Sequence, residues 1–164
     1  MCAAELKALR KRFDQVIARI DLRLKELVDA NRDRKQHVTH LRTIYGVGSV
    51  VSAALVNTLD RVPLKSADAF VAFTGLDPRP DDSGQHRGTR RLSKRNPSEM
   101  RRLLYLAALS AIKTWKPLYE HYRGKGLSST AVIVILARRI ARTAWSMYTY
   151  KTEFDPGCLT KCMT

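Results

Sequence analysis

No glycine precedes Gly46 and no proline precedes Pro63 in this 164-residue chain. The first quarter of the sequence therefore holds no residue that breaks a helix by itself. Cysteine is scarce: Cys2, Cys158 and Cys162 all lie near the ends. An odd number so placed excludes a disulfide framework. Joining Cys158 and Cys162 with His37 and His40 around zinc needs a very long spacing that nothing else supports, so no metal is assigned. No apolar run exceeds Ala131–Ala137, far short of the roughly 18–20 residues that a membrane span needs. Charges interrupt "MCAAELKALRKRF" where a signal peptide carries its apolar region. Acid is also in deficit, with 15 Asp and Glu against 30 Lys and Arg, and the net charge is +15. With 45% hydrophobic residues the chain can build a core, so it is not a disordered basic tail. The expectation is a soluble, cytoplasmic protein whose partner is a polyanion, nucleic acid first and no membrane.

What is present begins with helix formers. Residues 1–40 are rich in Leu, Lys, Arg, Glu and Ala. Leu6, Phe13, Ile20 and Leu27 recur every seven residues, Leu9 and Val16 fill the second seam position, and Ile17 and Leu24 widen the stripe. This predicts one long amphipathic helix with coiled-coil character for about three heptads. Arg23 and Ala30 then weaken the seam. Such a helix pairs subunits into a homo-oligomer or packs on its own domain.

Within "LRTIYGVGSVVSAALVNTL", Leu41–Leu59, an apolar run stops at Gly46-Val47-Gly48 and a small-residue helix follows. The start of that helix presents free amides and a positive dipole end, a phosphate site made of backbone. The pattern resembles the hairpin of the helix-hairpin-helix motif. The alternative is a helix–helix turn that needs glycine for packing alone. "SADAFVAFTGLDPRP" predicts a short helix with Ser66 as N-cap and Gly75 as its stop. Two further core helices follow from the spacing of Met100 to Ala111 and of Ile133 to Tyr148. Arg138, Arg139 and Arg142 fall opposite the second apolar stripe. The expected fold is all-α, in three parts: the helix of residues 1–40, a compact helical domain over 41–152, and a flexible tail over 153–164.

Between the core helices lies "PRPDDSGQHRGTRRLSKRN", Pro78–Asn96, read as a basic loop opened by Pro78 and Pro80. From Ser83 to Arg102 there are seven basic residues, against Glu99 as the single acid. Arg87, Arg90, Arg91, Lys94 and Arg95 are candidate phosphate binders, Arg suiting forked recognition of phosphate oxygens. Gly84 and Gly88 allow backbone amides to approach the same group. Few aromatics intervene, so base stacking is not indicated. Ser83 stands where acids give way to arginines. A hydroxyl is a poor nucleophile unless its proton is removed or the developing charge on phosphorus is stabilised, and clustered arginines supply the latter. His86 is near in sequence, but a lone loop histidine more often faces solvent, and no general base is evident.

"LRTIYGVGSVVSAAL", "FVAFTGLDPRPDDSGQHRGTRRLSKRN" and "MRRLLYLAALSAI", in this order and spacing, resemble the C-terminal domain of insertion-sequence transposases of the IS one-ten type, also named for their one-sixteen and nine-oh-two members. The resemblance runs from the long helix to about Pro156. It implies an acidic, divalent-metal-binding N-terminal domain absent from this chain, then a coiled-coil helix, then this helical domain. It implies that Ser83, in Ser83-Gly84 after Gly75-Leu76-Asp77-Pro78-Arg79, attacks DNA and becomes attached to it. It also implies that Ser93-Lys94-Arg95 is the family's basic motif, and that a guide RNA is a possible second partner. The departures are the absent acidic domain, Tyr45 in place of the usual proline before Gly46, and Asn96-Pro97 without the usual preceding glycine. The isolated chain is accordingly expected to need the missing domain for catalysis and to hold no cofactor of its own. The rivals are a non-catalytic helix-hairpin-helix module that only binds DNA or RNA, and a coiled-coil interaction protein for another acidic partner. The expected location is the cytoplasm, in association with the nucleoid.

Overall fold

The computed structural model describes residues 2–79, 82–83, 86–87, 91–93 and 98–159. Among them are seven α-helices: α1 Cys2–Asp29, α2 Arg32–Leu41, α3 Ser49–Arg61, α4 Ala67–Phe73, α5 Ser98–Ala111, α6 Lys116–Gly124 and α7 Ser129–Tyr150. The architecture is all-α, as the periodicities predict. None of these helices is long and apolar enough to cross a membrane.

The N-terminal helix does not run unbroken to residue 40. It stops at Asp29, and Asn31 starts α2 with extended backbone. The Asn31 side chain accepts hydrogen bonds from the Asp33 and Arg34 amides at 3.0 and 3.1 Å. An asparagine that satisfies two free amides favours a new helix start over continuation. Only the last turns of α1 meet a lining formed with α2 and α3, around Leu24, Leu27, Val28, Val38 and Ala54. The stripe ahead of them is open: Leu6, Leu9, Phe13, Val16, Ile17 and Ile20 are all 40–61% exposed.

The core is centred on α7, which packs against α2, α3, α4, α5 and α6. Its buried face is Val132, Ile133, Leu136, Ala137, Ile140, Ala141, Ala144 and Met147. On α5 the facing residues are Leu103, Leu104, Ala107, Ala108 and Ala111. Alanines on both faces let the helix backbones approach closely. The predicted stops and starts of α4 are present. Ser66 Oγ accepts from the Ala69 amide at 3.1 Å. Gly75, at φ 69°, follows Thr74, and the Gly75 and Leu76 amides return to Ala72 and Val71. That pair of bonds is the Schellman arrangement, with Leu76 buried against the core.

A polar clamp fastens α2 to α3 and α7. Arg34 Nε donates to Asp60 Oδ2 at 2.8 Å, and the Tyr148 hydroxyl donates to Asp60 Oδ1 at 2.5 Å. The His37 ring lies 4.5 Å from that of Tyr148. Burial, followed by the Asp60 hydrogen bond, pushes the Tyr148 hydroxyl up to about 12. Part of the tail is also docked: Phe154 meets the Tyr45 ring edge-on at 5.4 Å, ahead of a 3-10 turn at Pro156–Leu159.

Candidate nucleic-acid interface

The two glycines of the α2–α3 turn serve different ends. Gly46 has φ +86°, and a Cβ there would sit 2.1 Å from the Ala107 carbonyl oxygen and 3.0 Å from Ala111 Cβ. It is the point at which the turn is pressed against α5, and Ser110 Oγ donates to its carbonyl at 3.4 Å. Gly48 is exposed, and a Cβ there would meet nothing within 4 Å. It is the N-cap of α3, which has no side-chain cap bond. The α3 start therefore faces solvent without a side-chain cap, while Gly46 is pressed against α5.

The segment read as a basic loop is in part a ribbon. β1 Pro78–Arg79 pairs antiparallel with β4 Arg91–Leu92, and β2 Asp82–Ser83 pairs antiparallel with β3 His86–Arg87. Pro78 does not prevent the pairing, because it is the first residue of its strand, where a missing N–H is tolerated. The registers are Pro78↔Leu92 and Arg79↔Arg91, then Asp82↔Arg87 and Ser83↔His86. Two residues separate the ladders on the outgoing strand and three on the return, so the register shifts by one.

The root is clasped. The Ser93 amide donates to the Asp77 carbonyl at 3.0 Å, and Ser93 Oγ donates to Asp77 Oδ1. Asp77 directly follows the buried Leu76, so the ribbon leaves the core at a held position. Arg101 of α5 donates to the Thr74 carbonyl at 3.5 Å. On α7, Arg142 grips Asp68 at 2.8 Å. Arg138 lies between, its Nε buried and without a hydrogen-bond partner. Burial holds the Arg138 guanidinium below its ordinary value, Arg142 adds to this, and Asp68 and Asp77 oppose it. Arg102, by contrast, is matched by Glu99 at 2.6 and 2.9 Å, and this pairing holds Glu99 below its usual range.

The register sorts the predicted residues. Arg87 is in backbone register with Asp82, and Arg91 with Arg79. Arg79 lies in the segment "GLDPR" that precedes Ser83. Ser83 is the last residue of β2. Gly84, Arg90, Lys94 and Arg95 lie outside the described residues. Among the described residues no group of three or more His, Cys, Asp or Glu is arranged to hold a metal, and His37 is engaged with Tyr148.

The profile described as "Transposase IS116/IS110/IS902 family" matches residues 38–123. An "Insertion element IS116 uncharacterized 44.8 kDa protein" of Streptomyces clavuligerus is 32% identical over 121 residues, covering 71% of this chain and 30% of the relative. An "Insertion element IS900 uncharacterized 42 kDa protein" of Mycobacterium paratuberculosis is 27% identical over 139 residues, covering 82% and 35% respectively. The "Transposase for insertion sequence element IS1328" of Yersinia enterocolitica is 28% identical over 147 residues, covering 79% and 43%. The chain thus spans 30% to 43% of the length of these relatives. The matched segment takes in the α2–α3 turn, the clasped ribbon and α5, and covers more than half of the sequence: the chain belongs to the transposase family of IS116, IS110 and IS902.

Proposed function

We propose that this chain is the DNA-binding, serine-bearing C-terminal part of a transposase, acting in DNA transposition with Ser83 as nucleophile. The observation that carries this reading is the place of Ser83: it ends β2 on a ribbon whose other ladder sets Arg79 against Arg91. Ser83 Oγ attacks the phosphorus of a DNA phosphodiester. The new Oγ–P bond forms, the bond from phosphorus to the leaving deoxyribose oxygen breaks, and that oxygen takes up a proton. Arg79, Arg87, Arg90, Arg91, Lys94 and Arg95 hold phosphates and offset the charge that gathers on the transferring group. Gly48 and the uncapped start of α3 add backbone amides to the phosphate contacts, for DNA or for a guide RNA.

Subunits pair through the open stripe of α1 in this reading, since recombination must hold more than one DNA end. The metal-binding chemistry that the family resemblance implies belongs to a domain outside these residues, and nucleoid association follows from DNA binding. The uncapped α3 start also favours a second reading, a helix-hairpin-helix module that holds nucleic acid without reacting. The two separate by a denaturation-resistant protein–DNA adduct. A full-length protein carrying these residues is mixed with nicked or branched duplex, as native and as Ser83→Ala. An adduct that requires Ser83 supports the nucleophile. Tight, salt-sensitive binding without any adduct supports the module.

A further inference from the structure

α7 packs along α4, and Arg138 and Arg142, one helical turn apart on α7, share the surroundings of Asp68 and Asp77. Asp68 lies in the first turn of α4, and Asp77 directly precedes the first strand of the ribbon. Both carboxylates are engaged by other donors. Arg142 turns Nε and a terminal nitrogen to Asp68 Oδ1, each at 2.8 Å. The Ser93 hydroxyl donates to Asp77 Oδ1. Arg101 of α5 has the Thr74 carbonyl. Arg138 is left over. It is half-buried, and its Nε is closed off from solvent with no hydrogen-bond partner. Burial and the neighbouring Arg142 outweigh the two carboxylates and hold the guanidinium below its ordinary pKa.

A guanidinium so placed costs the fold stability, because its charge is desolvated and receives no matched acceptor. A side chain that only fastened α7 to α4 would serve better as a hydrocarbon of similar length. A guanidinium brings instead five donors in a planar fork, the geometry that fits phosphate oxygens. With Nε enclosed by the protein, the plane of the fork is fixed and the terminal nitrogens are left for an acceptor from outside. That acceptor must carry negative charge, since it has to offset burial and Arg142 together, and a chain of net charge +15 draws polyanions. We propose that Arg138 is a phosphate-binding residue: with its terminal nitrogens it takes a backbone phosphate of a DNA duplex that lies over the seam of α4 and α7, at the root of the ribbon. This rests on the reading of the chain as DNA-binding, and not on the reaction of Ser83. The phosphate is an anchoring one, and no bond to it is made or broken. Arg142 adds charge to the seam while its fork is spent on Asp68.

The test replaces Arg138 by methionine, which keeps an apolar stem and removes the charge, and reads fold and binding separately in the full 164-residue chain. Binding to a labelled DNA duplex is followed by fluorescence anisotropy across a salt series, and thermal unfolding by circular dichroism. The expected result for Arg138→Met is a Tm equal to or above native, with duplex affinity reduced roughly tenfold and the slope of log K against log salt reduced by about one. A merely structural arginine gives the reverse pattern, a lower Tm with affinity kept. Arg102→Met is the control, since it removes the same charge from a side chain already matched by Glu99, and it should leave the slope in place. A lower Tm for Arg138→Met, an unchanged affinity and slope, or the same loss in Arg102→Met overturns the proposal. So does a loss confined to an RNA duplex of the same sequence. If the native chain binds the DNA duplex with steep salt dependence and Arg138→Met binds alike, the assignment to Arg138 falls and the DNA-binding reading stands. A native chain that does not bind the duplex removes both.

Discussion

Replacing Gly46 by alanine separates a packing glycine from a ligand-binding one. The added Cβ would be 2.1 Å from the Ala107 carbonyl oxygen and 3.0 Å from the Ala107 carbonyl carbon and Ala111 Cβ, on a backbone at φ +86°. The left-handed conformation costs a residue with a side chain about 1–2 kcal/mol. Forcing an extra carbon into a packed contact adds roughly 1–3 kcal/mol. Neither neighbour can yield cheaply, because one is backbone and the other is a helix methyl in the core. The expected loss is therefore about 2–5 kcal/mol, or roughly 5–15 °C in Tm for a domain of this size. The control is Gly48→Ala, at φ −86° and with nothing within 4 Å of the new Cβ. It should cost well under about 1 kcal/mol, the scale of a modest N-cap preference. Urea unfolding of both variants, followed by circular dichroism, makes the comparison. A Gly46→Ala protein within about 0.5 kcal/mol of native would refute the claim that this glycine is fixed by its contact with α5.

Three further outcomes follow from the geometry. If Arg79 and Arg91 share a phosphate, Arg79→Gln should weaken duplex binding and reduce the slope of log K against log salt by about one; an unchanged slope contradicts the pairing. Burial lowers the His37 pKa from its ordinary 6.5, with Lys151 and His40 reinforcing this and Asp60 and Asp33 opposing it. The unfolded chain therefore takes the proton first, and this contribution to stability is full above about pH 6.5 and lost as pH falls below it; His37→Gln should flatten stability between pH 5 and 7.5, and an unaltered curve refutes the assignment. On α1, Phe13 and Ile20 are both 59% exposed, and burying such a side chain contributes about 1.5–3 kcal/mol. Phe13→Glu with Ile20→Glu should shift sedimentation toward the monomer while leaving the Tm of the helical domain in place.

The helical half of the fold was legible because its signals are local and repeated. Leu103, Leu104, Ala107 and Ala111 mark one face of α5, and Ser66 and Gly75 bracket α4 with a cap and a stop. The break at Asn31 was not, since a polar residue on an exposed helix face looks the same whether it continues the helix or caps the next. The ribbon was also missed. Two-residue strands are too short to show alternation, and Pro78 and Pro80 suggested an irregular path. What the residues do carry is the charge and the serine. What they do not carry is register, and register alone sets Arg79 against Arg91, Arg87 against Asp82 and His86 against Ser83. The packing of Gly46 was not legible for a similar reason: it depends on the approach of Ala107, sixty-one positions away.

The central claim is that Ser83 reacts. It is tested most directly by denaturing electrophoresis of a full-length protein carrying these residues after incubation with end-labelled, nicked duplex, native beside Ser83→Ala. The account predicts a labelled protein band in the native lane that is absent with Ser83→Ala, with the adduct mapped to the peptide containing Ser83. A band of equal intensity in both lanes, or an adduct mapped to another residue, would contradict it.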